Sequence, residues 1–160
     1  MPRNKNAPLD ATPAGRLVEA SLHRVFGYQL AQATIVTDAV FAEQVGTPHE
    51  LRPVEYTVLA LIHENPDVSA ARLAKALAVT APNIAAWIDR LEKRGLIRRI
   101  PHATDRRAQH LRTTPAGATL VTKATQSVLR GEEEALASLT QGELMILIEL
   151  LHKVANCRGA

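Results

Sequence analysis

The stretch Thr80–Thr114 holds the densest set of residues that could do chemistry, and the chemistry they suit is recognition of a phosphate backbone and its bases. Thr80 offers a hydroxyl to cap a helix N-terminus, and Pro82 falls in the first turn, where a missing N–H costs nothing. Ile84, Trp87, Ile88 and Leu91 recur at the three- and four-residue steps of one helical face. That face packs inward and leaves Asn83, Ala85 and Ala86 outward, short side chains that let a helix sit deep in a major groove. Asn83 can present a bidentate amide to adenine, Ala81, Ala85 and Ala86 can approach thymine methyls, and Arg90 is expected to hold phosphate. Gly95 is the expected C′ stop.

Beyond the stop, Leu96–Ile100 and Ala108–Thr113 are short β-compatible segments on either side of Pro101–Arg107, a pattern that predicts a hairpin with a basic tip. Between Arg90 and Arg112 the cations are Arg90, Lys93, Arg94, Arg98, Arg99, Arg106, Arg107 and Arg112, and the anions are Glu92 and Asp105. Such a surface prefers phosphate, and Arg98 is counted with the DNA contacts. A solvated charged loop is the ordinary alternative. It does not account for a helix, a glycine stop, a basic hairpin and a new helix start in one short stretch.

These residues need elements to hold them. Ser69 is expected to open a short helix through Leu77, with Ala78-Val79 as the tight turn into Thr80, which makes a helix-turn-helix. Arg72 and Lys75 lie on the first helix of the pair, where side chains cross the DNA backbone. Leu51 to His63 reads as a helix with Pro53 in its first turn, ended by Asn65-Pro66-Asp67. Upstream, Arg16 to about Glu43 is predicted as one long helix with a broad apolar band, preceded by a proline-bearing tail, Met1–Ala14, that could also touch DNA as a basic arm. Downstream, Thr114 caps a helix from Pro115 to about Leu139, and Glu143–Val154 is apolar nearly all round. Excess apolar surface at both ends of the chain predicts a homodimer closed across a two-fold axis.

Composition sets the remaining bounds. The chain has 160 residues, 46% of them hydrophobic, which is enough for one compact unit but short for two. Net charge is only +3, so the basic character is a patch and not a property of the whole surface. No apolar run approaches the ~20 residues of a membrane span, no signal-peptide order is present, and the one cysteine, Cys157, cannot form an internal disulfide. A bacterial cytoplasm fits, with no membrane partner. The six histidines are scattered without metal-ligand spacing, and no phosphate-binding glycine loop or glycine-flanked serine occurs, so neither an enzyme, a metal site nor a cofactor is expected.

The run Arg90–Arg99, then Asp105-Arg106-Arg107, then Thr114–Gly117 resembles the winged helix-turn-helix core of the MarR family of bacterial transcriptional regulators. Thr113 departs from the leucine usual at that position. The resemblance implies a mainly α fold with a small β-hairpin wing and a winged helix-turn-helix core flanked by N- and C-terminal dimerisation helices. Its boundaries would be 1–14 tail, 15–50 dimerisation helix, 51–113 DNA-binding region, 114–156 C-terminal dimerisation helices and 157–160 tail. It implies a homodimeric regulator of double-stranded DNA, most often a repressor, acting on a pseudo-palindromic operator and released by a small molecule. An architectural winged-helix module without ligand response is the alternative.

The same resemblance gives the wing two jobs. One arginine reaches the minor groove and the other is held by the aspartate of the recognition helix, here Asp89; since consecutive side chains on a strand point opposite ways, Arg106 is assigned to the groove and Arg107 to Asp89, beside Asp105. Zinc sensing finds no ligand set, and Cys157 lies far from the first long helix, where peroxide-sensing relatives carry their cysteine. The Gly-Tyr-Gln-Leu-like first helix and Leu-Arg-Pro-led second helix resemble a subgroup that responds to aromatic acids or their thioesters. His23, Tyr28, Gln29, Gln32 and Arg52 are the polar candidates for that site.

Overall fold

The computed structural model describes residues 11–101 and 109–159. The chain divides into two units, Met1–Ala39 and Val40–Ala160. In the first, the long helix begins later than the apolar periodicity suggests: α1 spans Phe26–Phe41, not Arg16 onward. The cause is local. Gly15 and Arg16 take left-handed φ of 73° and 51°, and Ala11 bridges Val18, so the chain doubles back before it can helicise. Thr12 fastens that loop, its hydroxyl donating to the Ala14 carbonyl (2.6 Å) and accepting from the Leu17 N–H (3.0 Å). The Leu22 and His23 N–H groups then fold back onto the Glu19 carbonyl.

The second unit begins at the end of α1, with a π-helical turn, Ala42–Gly46, and a short helix α2, Thr47–His49. Then follow α3 (Pro53–Glu64), α4 (Ala70–Leu77), α5 (Ala81–Lys93), β1 (Ile97–Pro101), β2 (Gln109–Thr113), α6 (Pro115–Ala135) and α7 (Gln141–Asn156). Its core joins Val45, Leu51, Val58, Leu59 and Ile62 to Leu73, Ile84, Ile88, Leu91, Ile97, Leu111 and Val121. Around that core the mainly helical fold carries one antiparallel pair, β1 on β2, registered from Ile97↔Thr113 to Pro101↔Gln109. Helix α6 ends at Ala135 and not near Leu139, because the Leu136 N–H turns back to the Glu132 and Glu134 carbonyls. Thr140 then caps α7: its hydroxyl accepts from Glu143 N–H, while its own N–H (2.7 Å) and its hydroxyl (2.8 Å) donate to Glu143 Oε2, and these last two bonds hold the Glu143 carboxyl below its ordinary pKa. Among the described residues no helix is long and apolar enough to cross a membrane.

The join between the α5–hairpin region and α6 is unusually tight. Gly95, at φ 67°, ends α5 with paired returns from its own N–H to the Glu92 carbonyl and from Leu96 N–H to the Leu91 carbonyl, the Schellman pattern. Thr114 closes the other side, donating its hydroxyl to the Gly95 carbonyl (2.7 Å) while accepting from Gly117 N–H (3.1 Å). A Cβ at Gly117 would overlap the Leu96 carbonyl oxygen, which is why a glycine stands three residues into this helix. Thr113 itself is half-buried, its hydroxyl 3.4 Å from His63 Nδ1.

Candidate nucleic-acid interface

Helices α4 and α5 form the helix-turn-helix. Ser69 Oγ accepts from Arg72 N–H to start α4, and Ala78, at φ 53°, reverses the chain so that Val79 N–H reaches the Ala74 carbonyl. Thr80 stands at the N-cap of α5, but its hydroxyl makes no capping bond; only its carbonyl is used, by Ile84 N–H. The expected cap is thus corrected, and the hydroxyl is left exposed on the outer face. Ile84, Ile88 and Leu91 are buried, while Ala81, Asn83, Ala85 and Ala86 are exposed together. The face expected to read bases is therefore open and built of short side chains.

The basic patch separates into two populations that charge counting could not distinguish. Arg90, expected outward on phosphate, instead runs inward: its Nε lies 2.6 Å from Oε1 of buried Glu55, an ion pair in which the N–H is not aligned on the oxygen. Arg94 donates to the carbonyls of His49 and Glu50, both at 2.8 Å. Arg99 is held by Asp89 and Glu92 together, and Arg112 by Asp67 through Nε (2.7 Å) and Nη2 (2.5 Å). By contrast Arg72, Lys75, Lys93 and Arg98 are exposed and pair with no acid among the described residues. Those four remain available to phosphate.

The wing is anchored at its root. Asp67 N–H donates to the Leu111 carbonyl and Leu111 N–H to the Val68 carbonyl, so the segment before α4 adds a third, minimal strand to the hairpin. Arg112 holds the Asp67 carboxyl below the usual carboxylate range and is itself shifted upward by the same bond. His110 Nδ1 meets the Asp67 carbonyl. Asp105, Arg106 and Arg107, the residues expected to reach the minor groove and to hold Asp89, lie outside the described residues; the partner Asp89 shows is Arg99.

Glu55 and Asp67 are the site residues that sequence reasoning missed, and Arg94, Arg99 and Arg112, counted there only among the cations of the basic surface, are tied into the scaffold. A signal existed for two of them. Glu55 is the acid at the third helical position after Arg52-Pro53, where a carboxylate closes a helix N-terminus, and Arg99 alternates with Arg98 on a strand, so the two must face opposite ways.

Of the polar candidates for a small molecule, three cluster within the first unit. Tyr28 donates to Glu19 Oε2 at 2.6 Å, a bond that raises the phenol's pKa; Glu19 Oε1 lies 3.8 Å from His23 Nδ1; and Gln29 donates to the His23 carbonyl at 2.9 Å. Glu19, which the sequence reading did not single out, is buried at their centre. Gln32 is half-buried on α1, and Arg52 is the exposed N-cap of α3 in the second unit. A separate cleft of about 190 Å³ runs between α3 and α6, lined by His63, Glu64, Thr122, Thr125 and Gln126. Among the described residues no three His, Cys, Asp or Glu side chains gather where they could hold a metal ion.

The profile described as MarR family matches residues 51–109, the span from α3 through the wing. Along most of its length the chain is 31% identical to a protein of Thauera aromatica named as a transcriptional regulatory protein for the hcr operon, covering 96% of this chain and 92% of that one. Among solved structures it is similar to the transcriptional repressor CouR bound to a 23-mer DNA duplex, at 29% identity and TM-score 0.79 over 87% of this chain and 98% of that one. It is also similar to a mutant MarR from E. coli complexed with operator DNA, at 26% identity and TM-score 0.71 over 80% and 91%. The chain belongs to the MarR family of DNA-binding transcriptional regulators.

Proposed function

We propose that the protein is a homodimeric repressor that reads a pseudo-palindromic operator through α5 and is released by a small aromatic acid or its CoA thioester. The observation that carries the DNA half is the division of the basic patch: Arg90, Arg99 and Arg112 are paired with Glu55, Asp89, Glu92 and Asp67, while Arg72, Lys75, Lys93 and Arg98 are exposed and pair with no acid among the described residues. Cations without internal partners next to a groove-sized helix face are arranged for phosphate on either side of a base-reading element. Asn83 is the base-reading residue, with Ala81, Ala85 and Ala86 against thymine methyls and Thr80 at the groove edge. Arg106 enters the minor groove from the wing. Two copies place their α5 helices about one duplex turn apart, so half-site centres fall ~10 bp from one another.

The effector half rests on the Glu19–Tyr28–His23–Gln29 cluster, where a buried carboxylate organises groups able to meet a carboxylic acid or phenol. An effector works only if it binds the DNA-free arrangement better than the DNA-bound one. Selection of sites from a random duplex library, repeated with aromatic acids and their CoA thioesters, tests both halves. One short inverted repeat, lost on adding an effector, is the expected result. Equal binding to all duplexes, with no response to any acid, is the result for an architectural protein.

A further inference from the structure

Two arginines one turn apart on α5 are held from a single short stretch, the junction between α2 and α3. Glu55 is buried at 5% exposure and uses both oxygens: Oε2 accepts the Arg52 N–H at 3.1 Å, closing the first turn of α3, and Oε1 faces Arg90 Nε at 2.6 Å. Arg94 reaches the same stretch with both of its terminal nitrogens, donating to the Glu50 and His49 carbonyls. Those carbonyls stand at the end of α2, where Glu50 is left-handed (φ 50°, ψ 40°), so they are acceptors with no helical partner of their own. Four residues separate Arg90 from Arg94, so both leave α5 on one side.

Apolar packing alone leaves α5 underdetermined. Burial of Ile84, Ile88 and Leu91 fixes that the helix packs, but the hydrophobic effect has no direction and tolerates small rotations and tilts. Hydrogen bonds such as those from Arg94 have direction, and an ion pair to a buried carboxylate fixes a distance. Asn83 lies seven residues from Arg90, about 10 Å along the axis, so a tilt of about 10° pivoting on the last turn would move it by roughly 2 Å, enough to break a base contact. We propose that the His49–Glu55 junction is a two-point clamp that sets the tilt of α5, and that Glu55 is a positioning residue for base readout. This inference rests on the reading of α5 as the base-reading helix.

The test uses the full chain and the operator selected by the unmodified protein. Glu55→Gln keeps an oxygen for the Arg52 N–H and so keeps the helix cap, but removes the charge that faces Arg90. Operator affinity should fall about tenfold while affinity for a random duplex of the same length, which depends on backbone cations, changes less than about twofold. Arg94→Gln, on the exposed side of the clamp, should lower the same ratio, and serves if Glu55→Gln does not fold. Asn83→Ala, read in parallel, should relax preference at one base position, and should add little on top of Glu55→Gln. An unchanged operator-to-random ratio in Glu55→Gln and Arg94→Gln, with Asn83→Ala still relaxing preference, overturns the clamp and leaves base readout standing. Equal losses on both duplexes would make Glu55 a residue of the fold alone and also overturn it. If Asn83→Ala changes no base preference, the underlying reading of α5 fails, and the clamp with it.

Discussion

Helices α5 and α7 both carry ample hydrocarbon, yet they end in opposite conditions. In α5, Ile84, Ile88 and Leu91 are 2%, 1% and 0% exposed, and every charged neighbour on the inner side has a partner. In α7, Met145, Ile146, Leu147, Ile148 and Leu150 are between 42% and 69% exposed, and no residue of the helix is buried. Large apolar surface left open on an otherwise well-capped helix marks a face completed by another molecule. The DNA-reading unit is finished within one chain; α7 is not. In the proposed homodimer a second copy covers it: in the first unit Leu22, Val25, Phe26, Ile35 and Val36 are likewise exposed, and a two-fold axis lets one set of surfaces cover its own counterpart.

The largest expected effects separate these two conditions. Ile88→Ala, in the finished unit, should cost about 2–5 kcal/mol of unfolding free energy by leaving a cavity, and should melt the DNA-binding core whatever the protein concentration. Leu150→Asp should leave that core intact while weakening self-association by several kcal/mol, since a carboxylate would be desolvated without a partner. Sedimentation and thermal melting at two concentrations distinguish them. If Leu150→Asp, and Leu147→Asp beside it, sediment as the unmodified protein does, the proposed interface on α7 is wrong.

How much of this contrast was legible in the sequence follows from the period of each signal. The three- and four-residue steps of Ile84, Ile88 and Leu91 gave the buried face of α5, Thr114 announced its cap through a hydroxyl that acts within three residues, and Gly95 announced the stop of α5, whereas the Thr140 cap of α7 was not read from the sequence. The near-absence of a polar face on α7 was equally plain. What the sequence could not show is pairing over distance: Glu55 with Arg90, Glu50 with Arg94 and Asp67 with Arg112 join positions 35 to 45 apart, and nothing in a run of arginines says which of them a distant acid or carbonyl will claim. The late start of α1 was hidden for a different reason. Apolar spacing at Leu22 and Val25 imitates a helix, while the left-handed turn at Gly15-Arg16 that delays it depends on a bridge from Ala11 to Val18.

A middle-sized effect should come from the root of the wing. Arg112→Ala frees Asp67 and removes the side-chain tie between β2 and the segment before α4, so operator affinity should fall while the melting temperature changes little, the strand hydrogen bonds through Leu111 being retained. The pair also carries a pH signature. Because Asp67 is held below its ordinary value when folded, its contribution is complete above the unfolded pKa and is lost as pH falls through the folded one. Acid titration followed by amide exchange at β2 should therefore show a loosening that is absent from Asp67→Asn. Operator affinity and β2 amide exchange insensitive to both changes would mean that the backbone bridge alone holds the hairpin.

The smallest effect concerns Asp89, the acid of α5 that faces the first strand of the wing. Arg99 is shared between Asp89 and Glu92, and Asp89 is more than half exposed, so removing Asp89 alone should cost only ~0.2–1 kcal/mol of wing stability, with Glu92 retaining the arginine. Glu92→Ala should cost a similar amount, and the two together more than their sum, since only then does Arg99 lose every acid. Arg107, assigned to the same aspartate from the hairpin tip, makes a competing demand that operator binding can resolve. If Arg107 shares Asp89, then Asp89→Ala is nearly silent on top of Arg107→Ala and additive with Arg106→Ala. If Asp89 serves Arg99 alone, it couples to Arg99→Ala and to neither tip arginine. Coupling to Arg106 would instead reverse the two tip assignments, putting Arg107 in the minor groove. A double-mutant cycle over these four residues thus decides whether the aspartate of α5 orients the tip of the wing or only its first strand.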